Sequence, residues 1–337
     1  MQTPSPDMAT APPALPDRLV GCERTQAWLA QSTPEREHAV WALGDPRYPA
    51  ALLALDDPPP WLFACGQLAQ TPGLCVAVVG SRNPTPQGRE NARALAHSLR
   101  SAGVCVVSGL ALGIDGAAHQ GALQAAPSGL SHPGCTTIAV VGTGLDRVYP
   151  RAHHALAQQV AAQGWLISEL PPGTPPLAHH FPRRNRLIAA LSSGVLVVEA
   201  ALKSGSLITA DLALAMGKDV FAVPGSIHSP LARGCHALLR QGAKLVETAQ
   251  DVLEELPMHA LSHHTTLTDA AAQTPATPSD PVQRALLDAL GHDPQPLDVL
   301  WWRSGASLED AMCALHDLLQ AGRVAEMPGG MYQALAP

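Results

Sequence analysis

Cys75-Val76-Ala77-Val78-Val79-Gly80-Ser81-Arg82 decides the fold class. Five apolar residues run without a polar interruption, then stop at glycine. A strand with one wet face would alternate polar and apolar residues, and an amphipathic helix would break the run within a turn. A short unbroken run bounded by a turn signal reads as a strand covered on both faces. The same pattern returns at Val104–Val107 before Ser108-Gly109, and at Thr137–Val141 before Gly142-Thr143-Gly144. It returns again at Trp165–Ser168, at Val195–Val198 before Glu199, at Val220–Val223 before Pro224-Gly225, and briefly at Lys244–Val246. Helical patterns fill the intervals at 87–101, with Leu95 and Leu99 on one face, and at 114–123, 152–163, 184–192, 206–216 and 231–240, with a closing helix at 249–256. Strands alternating with helices predict an α/β protein with a doubly wound, mainly parallel sheet. Such a sheet binds ligands in the loops at its strand C-termini.

Outward from this block the pattern changes. Residues 1–17 are rich in Pro, Thr and Ser and are expected to form a disordered tail. Residues 18–60 read as a short, partly helical lead-in, closed by a proline-rich connector ending Asp56-Asp57-Pro58-Pro59-Pro60. Trp61–Cys65 reads as a strand, so one large domain is expected over 61–256. Residues 257–280 lack apolar periodicity and read as a flexible linker. In 281–337, helical patterns at 282–290, 296–303 and 307–320 precede a hairpin turning at Pro328-Gly329-Gly330, the make-up of a small C-terminal winged-helix domain.

The hydrophobic fraction of 46% supports a substantial core in the 337-residue chain. The net charge of −7 requires any nucleic-acid contact to come from a local patch. Seven scattered cysteines without a C-x-x-C pair read as reduced packing residues of a cytoplasmic protein. Neither a signal peptide nor an apolar run long enough for a bilayer is legible, so no membrane association is expected.

The strongest charge feature is His179-His180-Phe181-Pro182-Arg183-Arg184-Asn185-Arg186. Between Glu169 and Glu199 there is no acid, so no nearby residue in sequence neutralises the three arginines. Guanidinium forks and helix N-terminal N–H groups both attract phosphate, and Phe181 could stack on a base. Gly80-Ser81-Arg82 offers close backbone approach, a hydroxyl donor and a bidentate cation; its plainer reading is a strand-to-helix turn with a surface arginine. Lys203, Ser204, Gly205 and Ser206 could line an anion site, or Ser204 or Ser206 could be an ordinary helix cap; both can hold together. Gly113 and Asp115 could simply shape and cap the next helix. Gly142-Thr143-Gly144 lacks the third glycine of a dinucleotide fingerprint. The histidine doublets at 153–154, 179–180 and 263–264 are adjacent rather than a turn apart, a poor arrangement for metal ligation. No G-x-S-x-G elbow or acid–base carboxylate pair stands out, so the chain reads as a non-enzyme with no cofactor.

Taken in order, these motifs resemble the DprA/Smf family. The residues that carry the resemblance are Asp57-Pro58-Pro59-Pro60, Val79-Gly80-Ser81-Arg82, Ser108-Gly109-Leu110-Ala111 with Gly113-Ile114-Asp115, and Phe181 to Arg186. Glu199-Ala200, Ser204-Gly205-Ser206-Leu207-Ile208-Thr209-Ala210 and Val220-Phe221-Ala222-Val223-Pro224-Gly225 complete the set. The resemblance implies an extended Rossmann-like fold that binds single-stranded DNA, forms a homodimer and helps load RecA recombinase onto incoming DNA in natural transformation. It implies DNA contacts at Arg82, Phe181, Arg184, Asn185 and Arg186. Family members usually carry Asn where this chain has His236. The alternative is a nucleotide phosphoribohydrolase-like enzyme on a related fold, although the Pro-Gly-Gly-x-Gly-Thr signature of that group is absent where Leu202-Lys203-Ser204-Gly205-Ser206 stands.

Overall fold

The computed structural model describes residues 22–125, 134–256, 280–291 and 293–335. The expected tail at 1–17 lies outside them, as does the expected linker apart from Asp280. The larger domain is built on a nine-stranded sheet of order β1-β2-β6-β5-β4-β3-β7-β8-β9. Its strands are β1 (Glu37–Ala42), β2 (Trp61–Gly66), β3 (Cys75–Val79), β4 (Cys105–Ser108), β5 (Thr137–Val140), β6 (Trp165–Ser168), β7 (Gly194–Val197), β8 (Asp219–Ala222) and β9 (Lys244–Leu245). From β3 to β9 every pairing is parallel. The helices are α1 (Glu23–Leu29), α2 (Pro86–Ser101), α3 (Ile114–Gln124), α4 (His154–Gln163), α5 (His180–Leu191), α6 (Gly205–Ala215), α7 (Arg233–Arg240) and α8 (Ala249–Leu253).

The apolar run at 75–79 is buried throughout. Cys75, Ala77 and Val79 join the core beneath α5 and α6, with Leu187, Ile188, Ala210 and Ala213. Val76 and Val78 point the other way, into the core with Leu95 and Leu99 of α2 and Ile114 of α3. Both faces of one strand are therefore dry, and each buried Val or Leu contributes about 1.5–3 kcal/mol relative to exposure.

The lead-in differs from expectation. Among the described residues before 45 only Glu23–Leu29 is helical, and Glu37–Ala42 is a strand, antiparallel to β2, which is itself antiparallel to β6. The sheet therefore takes in a strand that precedes Trp61, from within the expected lead-in. Glu37, Ala39 and Ala42 favour helix by intrinsic propensity, but Trp41 is buried edge-on against Trp165, with ring centroids 5.3 Å apart. That long-range contact and the pairing with β2 override the local preference.

From β3 the chain steps through β4 and β5 to β6, then returns through α5 to lay β7 on the opposite side of β3. The strand order reverses between β3 and β7, and such a reversal opens a crevice at the strand C-termini. The two bordering loops are tied by Ser81 N–H donating to Glu199 O at 2.7 Å.

The C-terminal domain comprises α9 (Pro281–Leu290), β10 (Gln295–Pro296), α10 (Leu297–Ser304), α11 (Leu308–Gln320), β11 (Val324–Met327) and β12 (Met331–Ala334). Its sheet has the order β10-β12-β11, and its core gathers Leu286, Leu290, Leu300, Leu315, Leu318 and Val324. This is the expected winged helix, its hairpin turning at Pro328-Gly329-Gly330. All seven cysteines are free; five are buried, Cys22 is half-buried and Cys313 is exposed, so the packing role does not extend to Cys313. Among the described residues no helix is long and apolar enough to cross a membrane.

Candidate functional site

At the crevice between β3 and β7 lies a cavity of about 440 Å³. Gly80, Ser81 and Arg82 line it from the loop after β3, Phe181, Arg184 and Asn185 from α5, and Lys203, Ser204, Gly205 and Ser206 from the start of α6. Ten of the twelve sequence-selected residues thus meet in one place, although they come from three separate stretches of chain.

Arg183 and Arg186 do not line it. Both turn to Glu169, which follows β6. Arg186 forms a close ion pair with Glu169 Oε2, and Arg183 Nε lies 3.3 Å from Glu169 Oε1. Arg186 also donates to Asp57 O at 2.7 Å, tying down the proline-rich connector. The expectation that nothing neutralises the arginine cluster is therefore corrected: Glu169 is distant from Arg186 along the sequence but adjacent in space. The arginines also sit within α5, which begins at His180, rather than ahead of it. On a helix, positions 183 and 186 share a side, while 184 and 185 project elsewhere.

Arg184 forms a buried part of the cavity wall. Its guanidinium donates to Val140 O and lies over Gly109, where a Cβ would stand only 2.0 Å from Nη1. Glycine is required there by close approach, not by backbone angle. Burial lowers the Arg184 pKa to about 10, against the pull of the Asp115 carboxylate and with the push of Arg82. Asp115 is buried in the first turn of α3, and its Oδ2 accepts N–H bonds from Gly109 at 3.1 Å and Ala111 at 3.4 Å. Burial raises its pKa, while Arg184 and those two N–H groups oppose the rise. Asp115 thus organises the loop after β4 and also faces the cavity, so the helix-shaping reading holds alongside a place in the wall. Within that loop Leu110 is held at φ 58°, an unusual angle for a branched side chain. His153 Nδ1 donates to its carbonyl at 2.9 Å.

At the mouth, Arg82 is exposed, with its Cζ 5.5 Å from the centroid of the Phe181 ring. Among the described residues neither Arg82 nor Lys203 has an ion-pair partner. Phe181 in turn packs on Tyr149, centroids 5.5 Å apart, and Tyr149 is itself exposed. Gly142 leaves room for the Phe181 ring, since a Cβ there would come within 3.2 Å of it. The Gly-Thr-Gly loop is thus the seat of an aromatic side chain. Sequence reasoning missed Tyr149; a Tyr before a Pro carries no local signal of such a role.

Ser204 caps α6, accepting from Ser206 N, and its hydroxyl lies 2.7 Å from that of Ser206. Asn185 Nδ2 donates to Gly205 O at 3.1 Å, locking α5 to the start of α6. The capping reading therefore holds, while the N–H groups opening α6 still border the cavity. Glu199 sits behind this wall. Thr85 donates to it from both N and Oγ1, at 2.9 and 2.7 Å, and burial raises its pKa. His236 lies elsewhere, bonding Gly225 O at 3.0 Å from α7.

A larger cavity of about 820 Å³ opens beside the loops after β7 and β8. Its lining includes the carboxylates of Glu199 and Asp293 and no Lys or Arg, so it does not suit a phosphate. Among the described residues no cluster of His, Cys, Asp and Glu suited to a metal ion occurs.

Comparison with known proteins shows relatives over most of this chain. Protein Smf of Escherichia coli K12 is 41% identical over 313 residues, covering 91% of this chain and 79% of that protein. DNA processing protein DprA of Streptococcus pneumoniae is 47% identical over 211 residues, 63% of this chain and 72% of that protein. The X-ray structure of the Streptococcus pneumoniae protein superposes with a TM-score of 0.60 at 44% identity, covering 69% of this chain and 78% of that one. DNA processing protein A of Helicobacter pylori, whose single-stranded DNA binding mode has been described structurally, gives a TM-score of 0.56 at 30% identity over 65% of this chain and 97% of that one. The family model for DNA recombination-mediator protein A matches residues 39–257, and that for the DprA winged helix domain matches residues 270–330. With one model spanning nearly all of the sheet and its crevice and the other most of the winged helix, the chain belongs to the DprA family of DNA-processing proteins.

Proposed function

We propose that this protein is a cytoplasmic, non-catalytic single-stranded DNA binder that protects incoming DNA and helps load RecA during natural transformation. The observation that carries the reading is an unpaired Arg82 over the face of Phe181, at the rim of a cavity walled by Lys203 and the first turn of α6. Cations along a groove beside an aromatic face hold a flexible phosphate chain and stack its bases without reading their edges. Lys203, the N–H groups opening α6 and Arg82, once it swings off the Phe181 ring, take backbone phosphates, and the ring face so uncovered, backed by Tyr149, takes a base. Arg184 contributes a fixed buried charge rather than a mobile arm. Arg183 and Arg186 serve the site by fixing α5 through Glu169. A binder rather than an enzyme is favoured because Asp115, the carboxylate in the wall, is already engaged by two backbone N–H groups.

The single-stranded binding of the Helicobacter pylori relative supports the choice of ligand. Hand-over to RecA and homodimer formation rest on the family role. The exposed apolar side chains of Ile208 and Leu214 on α6 offer a surface for a second copy.

The test is fluorescence-anisotropy binding of labelled poly-dT and the matching duplex across a salt series, with Arg82→Ala alongside. Salt-sensitive preference for the single strand is expected. In the variant the slope of log K against log salt should fall by about 0.7 for each phosphate that is no longer neutralised. No strand preference, or an unaffected variant, overturns the reading and directs attention to small nucleotides.

A further inference from the structure

The winged helix has the shape of a DNA reader but not the charge of one. Between residues 280 and 335 it carries eight acids against three arginines. The helix that a winged-helix domain would insert in the major groove, α11, contains Glu309, Asp310 and Asp317 and no Lys or Arg. Duplex binding needs cations to displace the counterions of the phosphates, and this helix offers repulsion.

The same surface is unusually apolar. Trp302 is 80% exposed and Trp301 42%, both in the last turn of α10. Gly305, in the left-handed conformation at φ 68°, ends that helix, and Ser307 caps α11 two residues later. Across this short turn, at the start of α11, Leu308 and Met312, one helical turn apart, are also exposed at 47% and 54%. Isolated exposed apolar residues need no explanation, but two tryptophans with two aliphatic neighbours at one corner mark an interaction site. Tryptophan is the residue most enriched among those that dominate binding energy. The rim is acidic on balance: Asp298 lies one turn before Trp301 and Trp302 on α10, and Glu309 and Asp310, the latter accepting from the Ser307 hydroxyl, open α11, against the single cation Arg303 in the last turn of α10.

We propose that the α10–α11 corner docks a basic amphipathic segment of a protein partner. An apolar stripe on that segment covers Trp301, Trp302 and Met312. Its Lys or Arg side chains meet Asp298, Glu309 and Asp310 or lie over the indole faces, where a cation is attracted to the ring. The corner shares no residue with the Arg82 cavity, so this inference stands whatever that cavity binds.

The test uses the full-length protein and two fluorescein-labelled 18-residue helical peptides with the same leucine stripe, one with lysines on its polar face and one with glutamates. The lysine peptide is expected to bind at least tenfold more tightly than the glutamate peptide. Its affinity is expected to fall at least tenfold in Trp301→Ala/Trp302→Ala and in Glu309→Lys/Asp310→Lys, while poly-dT binding and circular dichroism stay unchanged. Equal binding of the two peptides, or wild-type affinity in both variants, overturns the proposal. Duplex-DNA binding abolished in the tryptophan variant would make the corner a nucleic-acid site. Self-association by sedimentation abolished in that variant would make it an interface between copies. Either result also overturns it.

Discussion

Replacing Glu169 with Gln tests whether α5 is held in place by the ion pairs behind it. Glu169 is 6% exposed at its side chain and serves Arg186, 15% exposed, and Arg183, 55% exposed. The Arg183 pair is open to water and contributes at most about 1 kcal/mol. The Arg186 pair is mostly dry, and removing one partner of a buried pair costs about 3–5 kcal/mol because the other charge stays unpaired. Arg186 keeps its bond to Asp57 O and some access to water, which puts the expected loss near the low end, about 3 kcal/mol. For a domain of this size that is a fall in Tm of roughly 6–12 °C. Urea and thermal denaturation read it directly. Because the cost arises from a stranded charge, Glu169→Leu combined with Arg186→Met is expected to recover most of it. A loss below about 1 kcal/mol in Glu169→Gln, or no recovery in the double variant, would refute the claim that this pair anchors the helix.

Three further outcomes are expected. Gly109→Ala pushes a methyl into the Arg184 guanidinium; overpacking of this kind costs about 1–3 kcal/mol, and the displaced Arg184 should weaken poly-dT binding, which anisotropy and denaturation measure together. Phe181→Ala should cost about 1–3 kcal/mol of single-strand affinity by removing the stacking face while leaving the salt slope unchanged, unlike Arg82→Ala. His119 is buried against Thr137 Oγ1 at 2.8 Å, and burial lowers its pKa to about 3. Unfolded, it titrates near 6.5, so the unfolded chain binds the extra proton between those values. Its contribution is complete above about pH 6.5 and is lost as pH falls, at up to about 1.4 kcal/mol per pH unit. His119→Gln should flatten that part of the stability–pH curve, and an unchanged slope would show that His119 is not the group responsible.

The sequence by itself determined the strand–helix alternation, because a doubly covered strand must be apolar on both sides and so leaves an unbroken run such as 75–79. It also determined the winged helix, through apolar spacing and the Pro328-Gly329-Gly330 turn, and it named ten of the residues around the cavity, from glycine, hydroxyl and cation side by side at 80–82 and 203–206 and from the aromatic and cationic stretch 181–186. The tertiary structure decided what depends on residues far apart in the chain. Whether Glu37–Ala42 is helix or strand rests on pairing with β2 and on Trp165 over Trp41, neither of which is local. Which arginines of one helix face the cavity rests on where Glu169 stands at the end of β6. Arg184, selected as a DNA contact, stands in the cavity wall yet is nearly enclosed, because Gly109 leaves room for its guanidinium in the loop that Asp115 organises. Charge is legible in a sequence, but whether a charge is free or already neutralised is a property of distances, and only the fold sets those.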